Sequence, residues 1–210
     1  MRILVIGSRG NMGRRYCAII KWLGYEVIEK DIGVNEASNV FDLSFDKAII
    51  ATPTNLHMEY CIDIGIRDRP FLCEKPVSKL LSDMKLLKTY SSGYMVNNWL
   101  YACEHHRINN IEYNFYNTGK DGILWDLIQP IYIARNSVTI NPAHPIFEVW
   151  ADNQRITLDA ICESYVDMVS DFVEGVYENL WTMEDAYKAT EKVLTWKGIK
   201  YVGTNSGADK

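Results

Sequence analysis

Residues Arg2 to Ile6 form an almost continuous apolar run of β-formers, the pattern of a parallel strand buried on both faces. The loop Gly7-Ser-Arg-Gly-Asn-Met-Gly13 follows at once. An amphipathic stretch from Arg14 to Leu23 comes next, and Gly24 ends it as the residue after a helix C-terminus. Tyr25 to Lys30 predicts a second strand closing on Asp31, which completes a strand–helix–strand unit of about 30 residues. Residues 32–46 are too short and too polar for a helical crossover plus a strand; Val40, Phe41 and Leu43 predict a stub. Lys47 to Thr52 predicts the next strong strand. Thr54 is placed to cap a helix through Ile64, in which Leu56, Tyr60, Cys61 and Ile64 keep the helical period. A strand to Cys73 delivers Glu74-Lys-Pro76, and Ser78 is the expected N-cap of a helix from Lys79 to Tyr90. Tyr94 to Asn97 predicts a further short strand. Strand and helix alternate throughout residues 1–97, which predicts a doubly wound parallel sheet.

The character changes near Asn98, and residues 98–210 are read as a second, α+β domain. Asn110 to Asn117 alternates as a half-solvated strand. Residues 123–134 are ambiguous: Leu124, Leu127, Ile128 and Ile131 fit a helix, but Pro130 falls inside it. Ser137–Ile140, Ile146–Ala151 and Arg155–Leu158 predict short antiparallel strands, the last two joined by a turn at Asp152-Asn-Gln154. Ala160 to Val176 predicts an amphipathic helix. Thr182-Met-Glu-Asp185 caps a final one that Gly198 stops, and Ser206 to Lys210 is expected to fray. The two C-terminal helices are allowed to pack back on the first domain.

Composition narrows the function classes. The net charge of −5 and the lack of any Lys/Arg run argue against nucleic acid as the main partner. No apolar stretch approaches the roughly 18 residues of a membrane span. Met1 to Gly7 runs into a glycine loop and not into a signal-peptide cleavage site. The five cysteines are odd in number and lack framework spacing, which suits buried thiols in a reducing compartment. A soluble, cytoplasmic protein is expected.

A strand, a glycine loop and a helix in succession allow backbone N–H groups and the helix dipole to hold a pyrophosphate. The spacing here is Gly7, Gly10, Gly13, one residue looser than the commonest fingerprint. Asp31, ending the second strand, is placed to bind the adenosine ribose. It favours NAD(H), because a carboxylate repels a 2′-phosphate; Arg9 and Lys30 leave NADP(H) open. A lysine at the carboxyl end of a buried strand, as Lys75 is, stands where open α/β sheets bind ligands.

Ala51-Thr-Pro-Thr-Asn-Leu-His57, Gly65 and Cys73-Glu-Lys-Pro76, taken with the glycine loop, resemble the Gfo/Idh/MocA family of NAD(P)-dependent oxidoreductases. The runs Glu163–Phe172 and Thr182–Ala186 resemble the family's closing helices. The resemblance implies a Rossmann domain followed by an α+β domain with an open, mostly antiparallel sheet, reduced here because the chain is short for the family. It implies Thr52, Pro53, Asn55 and His57 near the cofactor, Glu74 near the nicotinamide ribose and Lys75 in the active site. His57 is equally read as a helix-surface histidine with a local hydrogen bond. The full candidate cofactor set is Gly7, Ser8, Arg9, Gly10, Asn11, Met12, Gly13, Asp31, Thr52, Pro53, Thr54, Asn55, His57, Glu74, Lys75 and Asn97. Asp126 matches the aspartate of the family's Asp-x-x-x-His pair, but Pro130 stands where the histidine belongs.

The expected activity is hydride transfer between nicotinamide and a secondary alcohol or ketone of a sugar, cyclitol or nucleotide sugar, with Lys75 and Asp126 handling the proton. Pro130 motivates the alternative, a non-catalytic dinucleotide- or sugar-binding regulator. Glu104-His-His-Arg107 and Gly10 to Arg14 are also similar to dihydrodipicolinate reductase, although its Ser-Gly-Thr-Ala segment is missing. Cys103-Glu-His-His106 lacks a second ligand pair at zinc spacing, so no metal is expected. Trp99, Tyr101, Trp125 and Tyr132 suit core packing or a sugar face. The open sheet predicts a homo-oligomer, a dimer.

Overall fold

The structure is a computed structural model that describes residues 1–35, 39–103, 108–116, 127–141 and 143–201. In chain order the elements are β1 (Arg2–Ile6), α1 (Asn11–Trp22), β2 (Glu26–Lys30), a 3₁₀ turn (Val40–Asp42), β3 (Lys47–Ile50), α2 (Thr54–Gly65), β4 (Phe71–Cys73) and α3 (Leu81–Leu87). They continue as β5 (Gly93–Met95), α4 (Asn98–Ala102), β6 (Asn110–Tyr116), α5 (Ile128–Ile133), β7 (Ser137–Asn141), β8 (Ala143–Ala151) and β9 (Gln154–Ile156). The chain closes with α6 (Leu158–Glu174), β10 (Trp181–Thr182), α7 (Met183–Thr195) and β11 (Ile199–Tyr201). Two compact units result: Met1–Asn97 with Val166–Thr190, and Asn98–Tyr165 with Glu191–Lys210.

The first unit is built on a six-stranded sheet in the order β10-β5-β4-β3-β1-β2. The pairs from β2 through β5 are parallel, and β10 is added antiparallel through Trp181↔Met95 and Thr182↔Tyr94. Ile3 to Ile6, Ala48 to Ile50 and Phe71 to Cys73 are all buried, as expected of strands covered on both faces. Between β2 and β3 the described residues form the Val40–Asp42 turn, and β2 is the last strand of the sheet on that side among the described residues. Val40, part of the stub expected here, is buried in that turn.

The starts of α2 and α3 differ from the sequence reading in how they are capped. Pro53, extended at φ −57° and ψ 145°, takes the cap position of α2, which makes Thr54 the first helical residue and not the cap. Ser78 is not the N-cap of α3 either; Leu80 is. The Ser78 hydroxyl instead accepts from the Leu80 N–H at 3.1 Å and donates to Asp83 at 2.7 Å, capping from two residues upstream. At the far end, Lys47 Nζ donates to the carbonyls of Phe172 and Val173 at 2.8 and 2.9 Å, closing the C-terminal turn of α6 under the ring of Tyr177. Thr182 and Asp185 bond reciprocally at the start of α7, as their spacing predicts.

The second unit carries a five-stranded sheet in the order β11-β7-β6-β8-β9. It is antiparallel through β6, β8 and β9 and parallel where β7 and β11 continue it. Asp152 and Asn153 alone turn β8 into β9, at φ 45° and 70°, the conformation a two-residue hairpin turn demands. Residues 128–133, undecided from sequence, are helical: Pro130 is the third helical residue, within the first turn, where no N–H is needed. Asn98–Ala102 and Ile199–Tyr201 are elements the periodicity did not reveal, because each is too short for a period to register. Lys192 Nζ donates to the carbonyls of Tyr132 and Ala134 at the end of α5. Among the described residues no helix is long and apolar enough to cross a membrane.

Candidate functional site

The strands β1, β3, β4 and β5 end level with one another, through Ile6↔Ile50, Ile50↔Cys73 and Cys73↔Met95. Backbone bonds carry the register one residue further: Ala51 N–H to Ile6 O, Glu74 N–H to Ile50 O and Val96 N–H to Cys73 O, all at 2.8–2.9 Å. Gly7–Ser8, Ala51–Thr52, Glu74–Lys75 and Val96–Asn97 therefore leave the same edge of the sheet side by side. Strand order reverses between β1 and β3, because the chain passes from β2 on one side of β1 to β3 on the other. That reversal is where open α/β sheets form a crevice.

A cleft of about 700 Å³ lies there, lined by Gly7, Arg9, Gly10, Lys30, Asp31 and Ile32 on one side and by Ala51, Thr52, Pro53, Leu56 and Tyr60 on the other. Its floor requires glycine. Gly7 sits at φ +82°, and a Cβ there would lie 2.6 Å from the Ala51 carbonyl oxygen. A Cβ on Gly13 would lie 1.9 Å from the Gly7 carbonyl oxygen. The loop can fold this tightly only because both side chains are absent. It turns directly into α1, which starts at Asn11, three residues before the expected Arg14, with Arg14 N–H bonded to Gly10 O at 2.9 Å. The cap residue Gly10 offers no side-chain oxygen and the first turn has no acid. The opening N–H groups of a 12-residue helix thus face the loop without an internal anion.

Asp31 ends β2 with its carboxylate held by two backbone bonds, from Arg9 N–H to Oδ2 and from Ile32 N–H to Oδ1, each 2.7 Å. Burial, then the charges of Glu59, Asp63 and Asp31, push the Tyr60 phenol up, so it stays a protonated donor at the cleft wall. Ser8 Oγ and Thr52 Oγ1 are buried without a hydrogen-bond partner. Orphaned hydroxyls beside a glycine cradle and an open helix terminus are the groups a phosphate-bearing ligand would satisfy. The residues present fit a dinucleotide.

The Glu74-Lys75-Pro76 turn follows β4, with the Lys75–Pro76 peptide cis. Glu74 is buried; its Oε1 accepts from the Tyr16 hydroxyl at 2.5 Å and its Oε2 from the Lys75 N–H at 3.0 Å. Lys75 is half-buried. His57 is not on the surface of α2: it is 1% exposed, with Nδ1 2.9 Å from Pro76 O and Nε2 2.8 Å from Thr52 O. Each ring nitrogen faces a backbone carbonyl oxygen, so His57 bridges the cleft wall and the lysine turn. Asn97 is fully buried; its Nδ2 donates to Asn179 O at 2.8 Å and its Oδ1 is unpartnered. Asn11, Met12, Thr54 and Asn55 lie in the first turns of α1 and α2, Asn11 and Asn55 exposed.

In the second unit, Gln129, just before Pro130, accepts the Trp99 N–H at 3.0 Å and buries an unpartnered Nε2. Trp99 itself is buried against Tyr113. Asp126 and the Glu104–Arg107 string lie outside the described residues. Among the described residues no group of three or more His, Cys, Asp or Glu is arranged to hold a metal ion.

Four residues escaped the sequence reading. Tyr16 was one more member of the amphipathic stretch after the loop, yet a buried tyrosine needs a partner for its hydroxyl, and that partner is Glu74. Leu56 and Tyr60 read as core positions but wall the cleft, while Cys61 and Ile64 of the same helix are the core. Ile32, 76% exposed beside Asp31, was visible only as an apolar residue in a polar stretch.

The first unit is thus a doubly wound fold of the dinucleotide-binding type, followed by a unit with a mixed, largely antiparallel sheet. The chain is similar to the crystal structure of a myo-inositol dehydrogenase from Corynebacterium glutamicum, at 16% identity and a TM-score of 0.70, over 92% of this chain and 94% of that one. It is similar to UDP-N-acetylglucosamine 3-dehydrogenase from Acidithiobacillus ferrooxidans, at 11% identity and a TM-score of 0.68, over 92% and 95%. It is also similar to the WlbA dehydrogenase from Thermus thermophilus in complex with NAD and UDP-GlcNAcA, at 11% identity and a TM-score of 0.63, over 92% and 93%. No protein-family model and no curated protein matches the chain.

Proposed function

We propose that this chain is an NAD(H)-dependent oxidoreductase of the Gfo/Idh/MocA type. It acts on a secondary alcohol or ketone of a sugar, cyclitol or nucleotide sugar. One observation carries the reading: a single sheet edge presents the glycine cradle, the Asp31 carboxylate and the Glu74-Lys75-Pro76 turn together. The similar structures, dehydrogenases of an inositol and of a nucleotide sugar and a complex with NAD, support it.

In this reading the N–H groups that open α1 and the loop of Gly7 to Gly13 hold the pyrophosphate. The hydroxyls of Ser8 and Thr52 take their missing partners from it or from the adjoining ribose. Asp31 accepts from the adenosine ribose hydroxyls through the lone pairs that its two backbone bonds leave over. Ile32, Leu56 and Pro53 shield the adenine from water. When bound, the nicotinamide supplies the hydride chemistry. Lys75 supplies the proton: its ammonium donates to the substrate oxygen on reduction, and its amine accepts from the hydroxyl on oxidation. Tyr16 and His57 hold the lysine turn from α1 and α2.

Titration of the purified protein with NADH and NADPH is the first test, since failure to bind either at millimolar concentration would end this reading. Turnover on a sugar and cyclitol panel, compared with Lys75→Ala, is the second. A non-catalytic dinucleotide-binding role is the second reading, because Pro130 cannot exchange protons through its side chain. Turnover that is lost in Lys75→Ala while cofactor binding survives would eliminate it.

A further inference from the structure

Trp22, the last residue of α1, is 75% exposed. Single apolar residues on a surface need no explanation, but this one walls a groove of about 270 Å³. Ala18 and Ile19 of α1 and Val166 of α6 line the rest, and all four residues belong to the first unit. Ile19 is buried, Val166 half-buried and Ala18 exposed. A large indole beside an apolar groove is the kind of anchor that dominates the energetics of a protein–protein interface.

The charges beside the groove differ in sign from one helix to the other. α1 carries Arg14, Arg15 and Lys21 and no acid. Lys21 is paired with Glu29 at 3.1 Å; Arg14 and Arg15 are exposed one turn before Ala18, on the side of α1 that borders the groove. Residues 166–174 of α6 carry Asp167, Asp171 and Glu174 and no cation, with Asp167 and Glu174 exposed.

We propose that this groove is an interface between two copies of the chain. They pair about a two-fold axis, with α1 of each laid on α6 of the other and Trp22 of each seated in the groove of the other. A two-fold interface has to be complementary to itself. An apolar centre with a basic helix on one side and an acidic helix on the other meets that condition. The rotation that brings α1 of the first copy onto α6 of the second also brings α6 of the first onto α1 of the second. A foreign protein would have to supply the same pattern independently. The net charge of −5 opposes association at long range. At contact distance, inside the screening length, the facing helices are opposite in sign on both sides of the axis, and that attraction sets their register. The face lies on the first unit, not on the open sheet from which the sequence leads one to expect a dimer, and the proposal is independent of the activity proposed above.

The test is sedimentation equilibrium of the full chain over about 1–100 μM, in which a concentration-dependent dimer is expected. Trp22→Ala is expected to weaken that dimer at least about thirtyfold. Its circular dichroism should not change, because the side chain stands mostly in solvent. Charge reversal then identifies the two helices. Arg14→Glu/Arg15→Glu makes both helices acidic, Asp167→Lys/Glu174→Lys leaves neither of them net acidic, and each double variant alone is expected to be monomeric over the same range. Mixed in equal amounts the two variants are expected to form a heterodimer, since the acidic α1 of one meets the altered α6 of the other while the unaltered helices also meet. A wild-type chain that stays monomeric, leaving the face to another protein, overturns the proposal. So does a dimer that survives Trp22→Ala and both charge reversals, or a mixture of the two variants that stays monomeric.

Discussion

The hydroxyl of Tyr16, on the inner face of α1, donates to the carboxylate of Glu74, 58 residues further along the chain, at 2.5 Å. Both side chains are buried. The bond joins the helix that opens at the glycine loop to the turn that carries Lys75, so the two halves of the proposed site share one strut.

Tyr16→Phe removes that strut with little change of volume. It leaves a buried carboxylate oxygen short of a donor, and a loss of about 1–3 kcal/mol of stability is expected in urea or guanidinium denaturation. A change below about 0.5 kcal/mol, the range of an inconsequential surface substitution, would mean that the bond does not hold the turn.

Two glycines separate close approach from backbone conformation. Gly13→Ala places a Cβ 1.9 Å from a backbone oxygen that cannot give way, and about 3 kcal/mol or more of destabilisation is expected, with loss of NADH binding. Gly24→Ala meets nothing within 4 Å but must hold φ +84°, which costs about 1–2 kcal/mol. Equal penalties in thermal or chemical unfolding would contradict the packing seen at the loop.

Lys47 closes the C-terminal turn of α6 with two bonds to carbonyls, and Lys47→Met is expected to lose about 1–3 kcal/mol. Desolvation by burial holds the folded pKa of Lys47 below the ordinary lysine value. The native state therefore releases this proton at a lower pH than the unfolded chain does. Between the two values the unfolded state binds more protons, and the Lys47 contribution to stability rises with pH. The gap between wild type and Lys47→Met should widen as pH rises toward the ordinary lysine value of about 10.4; a gap that narrows there would refute the desolvation argument.

The five cysteines, all among the described residues, form no disulfide; Cys17, Cys61, Cys73 and Cys103 are buried and Cys162 is exposed. Burial pushes the thiols of Cys17 and Cys103 up to about 11 and holds that of Cys73 well above the usual thiol value, which starves them of thiolate. Under native conditions a thiol reagent should modify Cys162 first, as read by peptide mass spectrometry. Comparable early labelling of Cys17 or Cys103 would show that the core opens readily.

Much of the first unit was legible because its signals are local. The runs Ile3–Ile6, Ala48–Ile50 and Phe71–Cys73 are apolar over consecutive positions, and only a strand buried on both faces demands that. Gly7, Gly13 and Asp31 carry their meaning in spacing. Element starts were less legible: α2 begins one residue before its expected cap position would allow, because Pro53 takes the cap. Ser78 caps through a relay that no spacing rule describes. In the second unit, β7 and β11 join the sheet in parallel, and alternation along a strand says nothing about the direction of its neighbour.

By itself, then, the order of residues determined that a glycine loop, the Asp31 carboxylate and a lysine turn would each follow a parallel strand, since hydrophobic period and backbone sterics act over a few residues. Which buried polar groups meet was decided only in three dimensions. Tyr16 finds Glu74, His57 divides itself between Thr52 and Pro76, and Arg9 comes to rest beside Asp31. Each pairing joins residues from different elements, and nothing but the packing of the sheet and its helices brings them within hydrogen-bonding distance.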